Sequence, residues 1–157
     1  MPERRDLQFV SWAEVLDDLN ALESGYERVG KWELDQTVRH LNDWLTYPMD
    51  GFPTPPIFLR IVFGVVRNTV GPGMLRRIID EGKMKDGMPT APETVYQLDE
   101  AATSASLDNL RRNIARFQSH SGTIHSSTIF GAMDKATAER LQLVHFAHHL
   151  SWLLPKS

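Results

Sequence analysis

The chain has 157 residues, 41% hydrophobic and 24% charged, a balance that predicts one globular domain over 1–157 with a core that needs no staples. A formal charge of −3 lacks the basic footprint of a nucleic-acid binder, and the absence of cysteine excludes disulfides, thiolate metal sites and cysteine nucleophiles. The polar opening Met1-Pro2-Glu3-Arg4-Arg5-Asp6 is not that of a secretory leader, so a cytoplasmic protein with no membrane segment is expected.

The first helix should begin after Ser11, which with Glu14 has the spacing of a capping box. Trp12, Val15, Leu16, Leu19 and Leu22 then recur at helical intervals, and Gly25 is the expected stop. A second helix is expected from Glu33 to Tyr47, striped by Leu34, Val38, Leu41 and Leu45 and ended by Pro48 and Gly51.

Residues 51–92 hold six of the nine prolines and six of the ten glycines. Within them Ile57 to Val66 is a dense apolar run, too short for a bilayer span of about twenty residues, so a buried helix is expected there. Met74 to Glu81 reads as a short helix, and Met84 to Tyr96 as an extended crossover of the kind that carries binding residues.

A third long helix should start between Asp99 and Ser106 and run to Ser119, burying Leu107, Leu110, Ile114 and Phe117. A loop with His125, Phe130 and Gly131 follows. Asp134 is the expected N-cap of a last helix reaching Leu153, before Pro155. No strand pattern or internal repeat is evident. The expected fold is therefore all-α, an antiparallel four-helix bundle whose long second crossover contains short helices.

The chemistry concentrates in His145-Phe146-Ala147-His148-His149 and in His40. Residues i and i+4 stack on one helix face, so His145 and His149 can present two imidazoles to one ion. On a wheel with Leu141 at zero, His145 falls at about 40°, His149 at about 80° and His148 at about 340°. The first two lie within the apolar arc, and His148 is on its rim. His40 falls at the border of the buried face of the second helix, where it could supply a third ligand. Three histidines with an open position form the usual ligand set of a catalytic zinc-type site. The competing structural reading is a set of half-buried histidines satisfied by hydrogen bonds, although a buried i, i+4 pair makes partners harder to find. Phe146 stands where a zinc peptidase of the His-Glu-x-x-His type carries its glutamate base, which excludes that mechanism. No phosphate loop, nucleophile elbow or glycosidase-style carboxylate pair is present.

The chain resembles the DinB/YfiT-like superfamily of metal-binding four-helix proteins, and most closely its uncharacterised branch, domain of unknown function 1569. The resemblance rests on Trp32 with Val38-Arg39-His40-Leu41, on Met49-Asp50-Gly51-Phe52-Pro53, on Lys83 to Pro92, on Phe130-Gly131-Ala132-Met133 and on the closing His145 to Leu150. It implies a divalent ion, zinc or nickel, held by His40, His145 and His149, the set that the wheel also selects. It further implies a thiol-dependent transferase or a hydrolase acting on a small molecule such as a low-molecular-weight thiol. The branch brings a histidine near Phe-Gly in the loop before the last helix, a place nearest to His125 here. Ser151 and Trp152 replace its usual glutamine and phenylalanine. Trp44, His125 and Trp152 are the candidate substrate-pocket residues. A non-catalytic bundle that binds a metal or small ligand is the alternative, and a metal-free bundle serving as a homodimer is a third.

Overall fold

The computed structural model describes residues 2–157. Helices α1 (Trp12–Glu23), α2 (Leu34–Asp50), α3 (Ile57–Asn68), α4 (Gly71–Glu81), α5 (Thr103–Ser119) and α6 (Lys135–Leu150) make the fold mostly helical. Strands β1 (Tyr26–Arg28) and β2 (Leu153–Pro155) pair antiparallel with Tyr26 opposite Pro155 and Arg28 opposite Leu153. The strand pair departs from the strand-free expectation, and α6 ends at Leu150, short of Leu153. Three-residue strands carry too little periodicity to read. The pair ties the chain end to the link between α1 and α2, with Val29 N–H donating to the Trp152 carbonyl at 2.9 Å.

Helices α1, α2, α5 and α6 share one core, in which Val15, Leu19, Leu41, Leu110, Phe117 and Phe146 have no exposed surface. Trp12 sits edge-on to Phe117 and Phe146, with centroids 5.8 and 5.3 Å away. Ser11 caps α1 as its spacing predicts, accepting from the Glu14 N–H at 3.3 Å. The Glu14 side chain reaches one residue further back than a capping box requires, to the Val10 N–H. At the other end, Ser24 is the C-cap and Gly25 follows at φ 142°.

Two expectations fail in α2 and α3. Pro48 does not stop α2; the helix continues to Asp50 and Gly51 caps it at φ 105°. A proline lacks the N–H that would bond the carbonyl four residues earlier. The carbonyl so orphaned is that of Trp44, and Gln142 Nε2 of α6 donates to it at 2.9 Å. A tertiary contact thus lets the helix pass its proline. The apolar run after it does form a helix, α3, but that helix has no buried residue. Ile57, Phe58, Ile61, Val62 and Val65 are all more than half exposed. Its neighbour is α4, on the periphery. Among the described residues no helix is long and apolar enough to cross a membrane.

Candidate metal centre

Helix α2 contributes His40 and α6 contributes His145 and His149, and one ring nitrogen of each lies within 4.8 Å of those of the other two. His40 Nε2 and His145 Nε2 are 3.3 Å apart. Two nitrogens bound tetrahedrally at about 2.0–2.1 Å to one ion would sit roughly 3.4 Å apart, so the spacing fits a shared cation. The group contains no carboxylate or fourth histidine.

The hydrogen bonds around His40 fix its useful tautomer. The Thr94 hydroxyl donates to the Ala91 carbonyl at 2.8 Å, which commits its proton. His40 Nδ1 lies 3.1 Å from that hydroxyl oxygen and 3.2 Å from the Thr94 carbonyl, so Nδ1 must carry the proton and donate. In the neutral ring Nε2 then keeps its lone pair and aims it toward His145. An outer N–H bonded to a carbonyl is what orients a ligating histidine. Thr94 is fully buried, in a 3-10 turn at Pro92–Thr94.

Burial also keeps the rings neutral. It pushes His40 down to about 4, against the opposing bond to Thr94. His145 and His149 are driven well below the ordinary histidine value, first by burial and then by their histidine neighbours. A neutral imidazole with a free lone pair is the form that binds metal. His40, expected at a border, is 2% exposed because the crossover closes over it.

The indole of Trp32 stacks on His149 with an interplanar angle of 6° and centroids 5.5 Å apart. It also lies 4.9 Å from His40. Trp44 meets His145 edge-on at 6.1 Å. These rings line a cavity of about 640 Å³ that the three histidines also line. Trp152, Phe130 and, from the crossover, Met84 and Met88 add to its walls. Of the three candidate substrate-pocket residues, Trp44 and Trp152 line this cavity. His125 is not in that lining; it is exposed, its ring beside Gly51 and its N–H donating to the Pro48 carbonyl at 2.8 Å. His148 borders the cavity outside the triad, with Arg4 donating to its Nδ1 at 3.2 Å. Burial and the Arg4 charge lower its pKa.

Several contributors were given no place at the site by the sequence reading, which named Trp32 only as a point of family resemblance. Trp32 stands eight residues before His40, close to two helical turns away but outside α2, so periodicity could not place it. Thr94 carries no local signal. Gly30 packs on Trp152, where a Cβ would come within 2.9 Å of the Trp152 Cβ, so a larger residue would push the cavity wall. Arg4 lies over the Trp152 ring at 4.6 Å, bonds Ser151 Oγ at 2.6 Å and pairs with Asp86 of the crossover.

No curated protein and no solved structure matches the chain. Over residues 1–156 it matches the family described as "Protein of unknown function (DUF1569)", and it belongs to that family.

Proposed function

We propose that this protein is a divalent-metal-dependent enzyme of the thiol S-transferase or hydrolase type, in a DinB/YfiT-like four-helix bundle made by α1, α2, α5 and α6. The observation that carries the reading is the convergence of His40, His145 and His149 on one point beside a cavity, with no fourth ligand in the group. Structural zinc sites are closed by four protein ligands, whereas catalytic ones keep a position open. Zinc or nickel suits three neutral imidazoles. A bound ion would lower the pKa of a water or thiol in that open position and supply a nucleophile near neutral pH. The chain's own part is to hold the rings neutral by burial, to lock His40 through Thr94 and to wall the cavity with indoles. A small-molecule substrate, such as a low-molecular-weight thiol, is the corresponding partner.

One observation favours the alternative, a bundle that binds a metal or small ligand without turnover. Among the described residues only His40 has an acceptor behind its outer nitrogen; the hydrogen bond made by the His145 ring is to His40. Metal-site enzymes usually anchor each ligating ring in this way.

Thermal unfolding of tag-free protein with and without added zinc or nickel tests the site. The ion should raise Tm by mass action on the folded state, fading toward pH 4 as the triad imidazoles protonate. His145→Ala should abolish the response and His148→Ala should leave it. Equal responses in the two variants would overturn the triad, and turnover of thiol substrates by the loaded protein would decide between enzyme and binding protein.

A further inference from the structure

We propose that the triad cavity selects a small amphipathic carboxylate, its apolar body lying along the indole and methionine walls and its anionic group at Lys31 and Lys85. This deepens the preceding reading by naming a ligand class for the same cavity, and rests on that cavity being the ligand site.

The argument begins from charge. The chain has 20 acidic and 17 basic residues, yet no Asp or Glu lines the cavity, while Lys31 and Lys85 both do. The cavity is thus opposite in sign to the chain around it. Both lysines are exposed, which puts them on the solvent side, whereas His40 lies at the buried end. Among the described residues neither lysine is in an ion pair. The carboxylates adjacent in sequence already have partners: Asp86, outside the lining, pairs with Arg4 and stands 3.8 Å from His148 Nδ1 at the cavity edge, and Glu33 accepts from Tyr26 at 2.7 Å and pairs with Arg28 at 3.0 Å. Two unpaired ammonium groups on the solvent side of an apolar cavity that no carboxylate lines attract an anion, and low-dielectric walls focus that attraction.

The walls specify the remainder of the ligand. Trp32, Trp152, Phe130, Met84 and Met88 offer flat aromatic and soft thioether surface, which suits a planar or flexible apolar body. A cavity of about 640 Å³ is in the range of ordinary small-molecule sites. A fully polar anion such as inorganic phosphate would leave those walls without a partner, and a neutral apolar molecule would leave the lysines without one.

The test is binding of 2-naphthoate and of its neutral analogue 2-naphthamide to EDTA-treated protein, read by tryptophan fluorescence, since Trp32, Trp44 and Trp152 line the cavity. Removing metal prevents the carboxylate from choosing the site by coordination. The carboxylate should bind about tenfold more tightly than the amide, and the preference should shrink with added salt. Lys31→Gln with Lys85→Gln should abolish the preference while leaving amide binding intact, whereas Arg60→Gln with Arg112→Gln, away from the cavity, should change nothing. Equal binding of the two probes, binding of neither, or a preference that survives the double lysine substitution would overturn the proposal. A metal-independent Tm would remove the metalloenzyme reading and leave this preference standing. A metal-dependent Tm without the preference would do the reverse.

Discussion

Helices α3 and α6 invert what their compositions suggest. The first holds the densest apolar run of the chain and has no fully buried residue, Leu59, Phe63 and Val66 being half-buried; the second carries three histidines, a glutamate and an arginine and buries seven residues. Burial depends on what faces a helix. Residues of α6 meet α2, α4 and α1, whereas α3 is joined to the periphery through α4. An apolar stripe states what a helix could bury, and the tertiary partner decides whether it does. The same asymmetry locates the site, because ligating side chains need the fixed rotamers of a packed interior, and α2 and α6 supply them.

The sharpest test of this contrast uses one residue type in both regions. Phe117 has no exposed surface and Phe58 is 63% exposed. Phe117→Ala should cost roughly 3–5 kcal/mol in chemical denaturation, by lost burial and a cavity. Phe58→Ala should stay within about 0.5 kcal/mol, as a surface change does. A cost at Phe58 well beyond that surface range, about 2 kcal/mol or more, would mean that α3 is covered in solution and would break the comparison.

Acid should find the site end next. In metal-free protein His40 is held near 4, below the ordinary 6.5, so the unfolded chain binds its proton first as pH falls. Stability contributed by the neutral buried ring is whole above about pH 6.5 and is lost toward pH 4. For His40 alone the loss is about 3 kcal/mol. His145 and His149 shift in the same direction and deepen it. His40→Phe should flatten the slope of stability against pH between 6.5 and 4; an unchanged slope would show that His40 is protonated in the fold.

What could be read in advance follows from how local the cause is. His145 and His149 were legible because i, i+4 spacing fixes their shared face whatever surrounds them. His40 needed one further step, a flank on the second helix, and its full burial was missed because the covering residue, Thr94, arrives from 54 positions away. The helix caps at Ser11 and Asp134 were legible for the same local reason, the latter accepting from the Thr137 N–H at 2.8 Å. Pro48 misled because its remedy is supplied from a distant helix. The exposure of α3 was illegible in principle, since nothing within Ile57 to Val66 says whether another element will be placed against it.

The smallest effect, and the most specific, belongs to that remedy. Gln142 is 5% exposed and its Nε2 supplies the hydrogen bond to Trp44 that Pro48 cannot. Gln142→Leu should leave the carbonyl of half-buried Trp44 without its donor and cost about 1–3 kcal/mol. The lower end is expected, because Gln142 Oε1 has no partner of its own and its removal relieves part of the loss. In a Pro48→Ala background the new N–H at position 48 can close the ordinary helical bond to Trp44, so Gln142→Leu should there cost less than half as much. Equal costs in the two backgrounds would mean that the carbonyl finds another donor, and Gln142 would then be packing α6 on α2 without repairing α2. A coupling of the expected sign would mean that the segment placing His40 and Trp44 owes its continuity to the helix that carries the other two histidines.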